Sequence, residues 1–251
     1  MFKNKKFSKI NGTSYGKGGS RLKRTIGKLS FLVALLLFLS TFNSNGQNIE
    51  LQPLLDNAIF GAKGGFNLTD MIADPPHQID AKLTGNIGIF SNTPIKGKFY
   101  FQPELLLSRQ GGIQHTTHES TDYEYLSDEK ITYLQLPLMI QYKVNENISV
   151  EGGPEIGMRL ASKYKYQIVD DGVVIYENIA RTEEHRKFLE LGINVGATYR
   201  INDILSASLR YNYGITPINV DQTVVKLRNS VIQVSLYYTL FDFISLKSIF
   251  D

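Results

Sequence analysis

From residue 58 onward the chain alternates. In eight windows one parity is wholly uncharged and mostly apolar, while the other carries the polar groups. This two-residue period is that of a β-strand with two unlike faces. The windows cover residues 58–68, 82–89, 99–108, 134–142, 149–160, 190–199, 205–215 and 232–240. In the first, Phe60, Ala62, Phe66 and Leu68 oppose Lys63 and Asn67; in the last, Ile232, Val234, Leu236, Tyr238 and Leu240 oppose Gln233, Ser235, Tyr237 and Thr239. The windows run to 8–12 residues, longer than a typical globular strand and close to the length of a tilted membrane-crossing one.

The connections have a rhythm of their own. Tight ones at 92–97, 145–146 and 202–203 alternate with stretches of about a dozen residues or more. Antiparallel hairpins crossing an outer membrane show this asymmetry, with short turns on the inner side and long loops outside. The pattern therefore predicts an all-β, eight-stranded antiparallel transmembrane up-and-down barrel over 58–241, in contact with outer-membrane lipid.

Charge placement fixes which face meets the lipid. Lys63, Lys82, Arg159 and Arg210 fall on the polar parity. Each would cost about 2–4 kcal/mol facing lipid at mid-depth, so together they would cancel the stability of a whole domain. They are expected to point inward, with Glu104, Glu151, Glu155 and Glu190 of the same parity. An eight-stranded barrel is just wide enough inside for side chains to fill it, so the eight groups predict a structural lumen charge network and no open pore. Pro103, Pro137 and Pro154 interrupt three windows, and each lacks a ladder donor; local bulges are expected there.

Residues 1–46 differ from the rest. Nine of the 27 basic residues lie there without an acidic partner, followed by the apolar block 31–42 and then small residues. This is the pattern of a cleaved signal peptide, with cleavage expected after Gly46, and a 12-residue apolar block is too short to span a bilayer as a helix. The remainder carries 18 basic against 24 acidic residues, so the net charge of +3 becomes −6, which disfavours a nucleic-acid partner. Residues 47–57 are expected as an N-terminal periplasmic segment and 242–251 as a C-terminal extension. The absence of cysteine excludes disulfides and thiolate metal sites.

Several segments carry a family resemblance: Phe60-Gly-Ala-Lys-Gly-Gly-Phe-Asn-Leu68, Phe101-Gln-Pro-Glu-Leu105, Tyr133-Leu-Gln-Leu-Pro-Leu138, Glu151-Gly-Gly-Pro154 and Leu209-Arg-Tyr-Asn-Tyr-Gly214. The chain resembles the PorT-type outer-membrane β-barrel domain of Bacteroidetes over roughly 58–241. The resemblance implies an outer-membrane location and an accessory role in type IX-like protein secretion.

No catalytic, cofactor or metal residues are assigned. His77, His115, His118 and His185 all fall in long connections, and His115-Thr-Thr-His118 lacks the i, i+4 spacing of helical zinc sites. The loop 163–187 holds Asp171-Gly172 between two alternating stretches, which predicts a type I′ hairpin continuing beyond the bilayer. The loop 112–130 is acidic and tyrosine-bearing. These two loops are the candidate sites for protein partners. The rival readings are a secreted soluble barrel with its apolar parity inside, around an apolar ligand, and an enzyme at the barrel rim.

Overall fold

The computed structural model of the chain describes residues 57–76, 79–117, 123–223 and 225–242. The expected signal peptide, nearly all of the expected periplasmic segment and residues 243–251 lie outside them. The described residues form ten strands: β1 (Ile59–Asp74), β2 (Lys82–Lys96), β3 (Phe99–Gln110), β4 (Ile113–Thr117), β5 (Tyr123–Lys143), β6 (Ile148–Asp170), β7 (Val173–Arg181), β8 (Leu189–Arg200), β9 (Leu205–Gly214) and β10 (Lys226–Asp242). Eight of them close a ring. β1 pairs with both β2 and β10, and the circuit continues through β3, β5, β6, β8 and β9, every neighbour antiparallel. Closure leaves the ring no free edge.

The apolar parity faces outward all round. Phe66, Leu83 and Ile87 are 65–69% exposed on the isolated chain, whereas Lys63, Glu104 and Arg210 are 2% exposed. A soluble barrel would require the reverse. At the short-turn end the outward positions Phe99, Tyr142, Tyr199 and Tyr238 supply an aromatic girdle, with Phe99 and Tyr142 in ring contact at 5.1 Å. Such girdles mark the membrane–water boundary of barrels.

Beyond the ring, the longer strands build a second feature. β5 and β6 have 21 and 23 residues, roughly twice what a crossing needs. Their outer halves pair with each other, and β4 adds to β5 and β7 to β6, giving a four-stranded sheet that projects past the barrel mouth. Asp171 (φ 47°) and Gly172 (φ 78°) turn β6 into β7, both in the left-handed region that a type I′ turn requires. Residues 113–117 and 123–130, read from sequence as part of a loop, are therefore strand. They escaped the period-2 test because their side chains are polar on both faces.

The bulges lie elsewhere than the sequence suggested. Register shifts occur at Phe60/Gly61, Pro94/Lys96, Thr132/Tyr133 and Ile168/Val169. Pairing lapses for one or two residues beside Pro103 and Pro137 and resumes in the same register. A missing donor costs one ladder bond, and the flanking residues hold the alignment. Asp242, expected in the C-terminal extension, is the last residue of β10.

Candidate functional site

The lumen is filled in layers. Nearest the short-turn end, β1, β3, β6 and β9 bring Lys63, Glu104, Glu151 and Arg210 to one level. The Arg210 guanidinium makes five hydrogen bonds: to both Glu104 oxygens (2.9 and 3.0 Å), twice to Glu151 Oε1 (2.8 and 3.0 Å) and to the Tyr237 hydroxyl at 2.9 Å. Lys63 Nζ donates to Glu104 Oε2 at 2.9 Å and lies 4.8 Å from the Tyr237 ring centroid. Two bases thus meet two acids, with no net charge. Amides complete the acceptors: Gln102 donates to Glu104 at 2.7 Å, Gln141 donates to Glu151 at 2.8 Å, and Asn92 bridges Gln102 and Gln141. Phe90 closes the layer edge-on to Tyr237, centroids 5.0 Å apart, in space that Gly61 leaves open; a Cβ at Gly61 would lie 2.4 Å from the Phe90 ring.

The other four predicted charges stand apart from this cluster. Glu155 accepts from Gln135 and from Asn194 at 3.0 Å, and Asn194 in turn accepts from Asn212 at 3.1 Å. Glu190, nearer the outer end, accepts from Asn229 at 2.8 Å, and Asn229 also donates to Tyr133 at 3.1 Å. Arg159 donates to the Lys187 and Glu183 carbonyls at 3.1 and 2.9 Å, tying the 182–188 connection down from inside. Lys82 pairs with Asp128 on the outer half of β5. Of the eight, four therefore meet at one level, Lys82 finds its acid on the outer half of β5, and Glu155 and Glu190 are held by amides.

At the outer end the filling becomes apolar. Met71, Ile131, Tyr133 and Ile218 form a buried cluster, with Ile79 and Leu227 against it. The 182–188 and 215–223 segments fold over it and bond to each other, Lys187 N donating to Ile218 O at 2.6 Å and Val220 N to His185 O at 3.0 Å. Arg186 clasps Glu129 of β5 with two N–H groups. Burial works against the guanidinium charge, but the hydrogen bonds and charge of Glu129 outweigh it and hold the Arg186 pKa above its ordinary value. Between this cap, the end of β1 and the foot of the projecting sheet lies an outward-opening cavity of about 220 Å³.

Of the histidines, His115 approaches Asp80 at 3.6 Å and is largely exposed, while His77 and His118 lie outside the described residues. Among the described residues no three His, Asp or Glu side chains converge.

A ring of eight strands with apolar residues outside and ionised ones inside is the geometry of a barrel in hydrocarbon. The sequence profile of the outer membrane protein beta-barrel domain matches residues 45–220, more than half of the chain. The chain belongs to that family. It is accordingly an outer-membrane β-barrel, with its belt in lipid. The match with solved structures is one of barrel architecture at low identity. Ail, the attachment invasion locus protein of Yersinia pestis, is 10% identical with a TM-score of 0.45, covering 74% of this chain and 99% of Ail. Neisserial surface protein A is 13% identical (TM-score 0.38, covering 73% and 99%), and the outer membrane protease OmpT from Escherichia coli is 9% identical (TM-score 0.35, covering 74% and 97%). Comparison with curated proteins gives no match.

Two features of this barrel carry no period-2 signal. The Glu129–Arg186 clasp joins a strand end to a loop, and only an acidic residue in a tyrosine-bearing stretch hinted at it. The apolar plug uses Met71, Ile131 and Ile218 on inward or loop positions, where the alternation predicts polar groups.

Proposed function

We propose that this outer-membrane barrel is a non-enzymatic member of the PorT-type branch of its family, acting through its outer surface as an accessory factor in type IX-like protein secretion or in surface contact. The observation that carries the reading is a plugged lumen beneath a projecting β4–β5–β6–β7 sheet. Side chains occupy the lumen from the Arg210 layer to the Ile218 plug, so cargo has no path through the barrel and any part in export is played beside another translocating component. The sheet supports a contact role. Among the described residues β7 pairs on one side only, with β6, and exposes Val173, Val174, Ile175, Tyr176 and Ile179. An apolar strand with one free edge is a template for a partner chain. The secretion half rests on the sequence motifs.

The deciding experiment deletes the gene and compares secreted and surface-exposed proteins with the parent strain. Complementation with the full chain is set against a variant in which 165–179 is replaced by a two-residue turn. Loss of secreted proteins, restored by the full chain and not by the shortened one, supports an accessory role through the sheet. An unchanged protein profile removes the secretion reading, and rescue by the shortened chain removes the sheet from it.

A further inference from the structure

The cavity at the outer end has two unlike walls. Met71, Ala73, Ile79 and Leu227 make one side apolar, continuous with the buried plug. The other carries Ser127, Tyr164, Glu129 and Arg186. The polar wall is rigid: Tyr164 OH donates to Ser127 Oγ at 2.6 Å, and the side chains of Glu129 and Arg186, 7% and 15% exposed, hold each other through two hydrogen bonds.

We infer that this cavity binds a small neutral amphiphile with a short aliphatic body and one hydroxyl or carbonyl head. Size sets the body. A closed apolar cavity of about 150 Å³ takes benzene; by volume alone about 220 Å³ holds roughly nine non-hydrogen atoms, the size of an eight-carbon alcohol with its head toward the opening. Charge sets the head. Glu129 already neutralises Arg186, so an anionic head would have to displace a bidentate carboxylate. A guanidinium has five N–H donors, and only two go to Glu129, which leaves others to donate to a neutral oxygen. The inference does not rest on the secretion reading: the cavity uses the foot of the projecting sheet (Ser127, Glu129 and Tyr164), whereas the proposed partner contact is the outer edge of β7.

The test uses the purified full chain in phosphatidylcholine nanodiscs, labelled with a diazirine analogue of 1-octanol, the attachment sites being mapped by mass spectrometry. Labelling is expected at Met71, Tyr164 and Leu227, falling at least fivefold with excess 1-octanol, while labelling of the lipid-facing Phe66 and Leu83 stays unchanged. Octanoate should compete less well than 1-octanol. Ala73→Phe, which fills the cavity from β1, should remove the cavity labels alone; Ala73→Leu serves if the larger side chain prevents the heat-modifiable migration of a folded barrel. Glu129→Gln frees the Arg186 charge and should reverse the preference toward octanoate. Cavity labels that persist against 1-octanol, or in a folded filled variant, overturn the proposal, and so does octanoate competing as well as 1-octanol in the unaltered chain.

Discussion

Arg210 shows how much one side chain can organise inside a closed barrel. It satisfies two carboxylates and a phenol from β3, β6 and β10 at once, so removing it leaves Glu104 and Glu151 facing each other with only Lys63 to compensate. Uncompensating a buried ion pair costs about 3–5 kcal/mol, whereas replacing the whole set by apolar groups is often neutral. Arg210→Met should therefore lower the unfolding free energy, read from urea titration of the heat-modifiable band, by that order. Lys63→Met should lower it less, since Glu104 keeps its bidentate partner; equal losses would show that Lys63 anchors the layer. A quadruple change, Arg210 and Lys63 to Met with Glu104 and Glu151 to Gln, leaves no charge in the layer and should recover part of the loss. The sequence placed these four groups on one parity. Their meeting at one level, apart from Glu155, Glu190, Arg159 and Lys82, depends on the stagger between strands, which alternation does not encode.

At the scale of the element, the β6–β7 ribbon is the most local feature and the most legible. Asp-Gly between alternating stretches predicts the turn, and the backbone supplies it with positive φ at both central residues. A β-branched residue fits that region poorly, so Gly172→Val should fray the ribbon. Limited proteolysis should then cut within 164–180 several times faster, while the barrel core stays protected; an unchanged cleavage rate would mean that β6 and β5 hold the ribbon without its turn. The prolines teach the opposite lesson. Pro103 and Pro137 looked like sites of register change, yet the register passes them, because the neighbouring ladder bonds outnumber the one lost. Register shifts appear near strand ends, at Phe60/Gly61, Pro94/Lys96 and Ile168/Val169, and at Thr132/Tyr133, where β5 and β6 leave the ring.

For the whole molecule, the belt is the feature on which membrane residence depends. Val234, near the middle of β10 and 53% exposed on the isolated chain, faces lipid. Val234→Arg should cost about 2–4 kcal/mol and reduce insertion into vesicles, read as loss of the folded band, whereas Val234→Leu should not. With its lumen filled by the Arg210 layer and the Ile218 plug, the barrel should show no stable stepwise conductance in planar bilayers; regular openings of a wide channel would contradict the packing. The sequence by itself determined the eight strands of the ring, their antiparallel order and the orientation of the two faces, because a period of two and the cost of charge in hydrocarbon are local quantities. Only the tertiary structure decided which inward groups pair, that β5 and β6 outgrow the membrane as a sheet, and that Glu129 and Arg186 close one side of a cavity. Those contacts join residues far apart in the chain, and their partners are set by strand stagger and loop path.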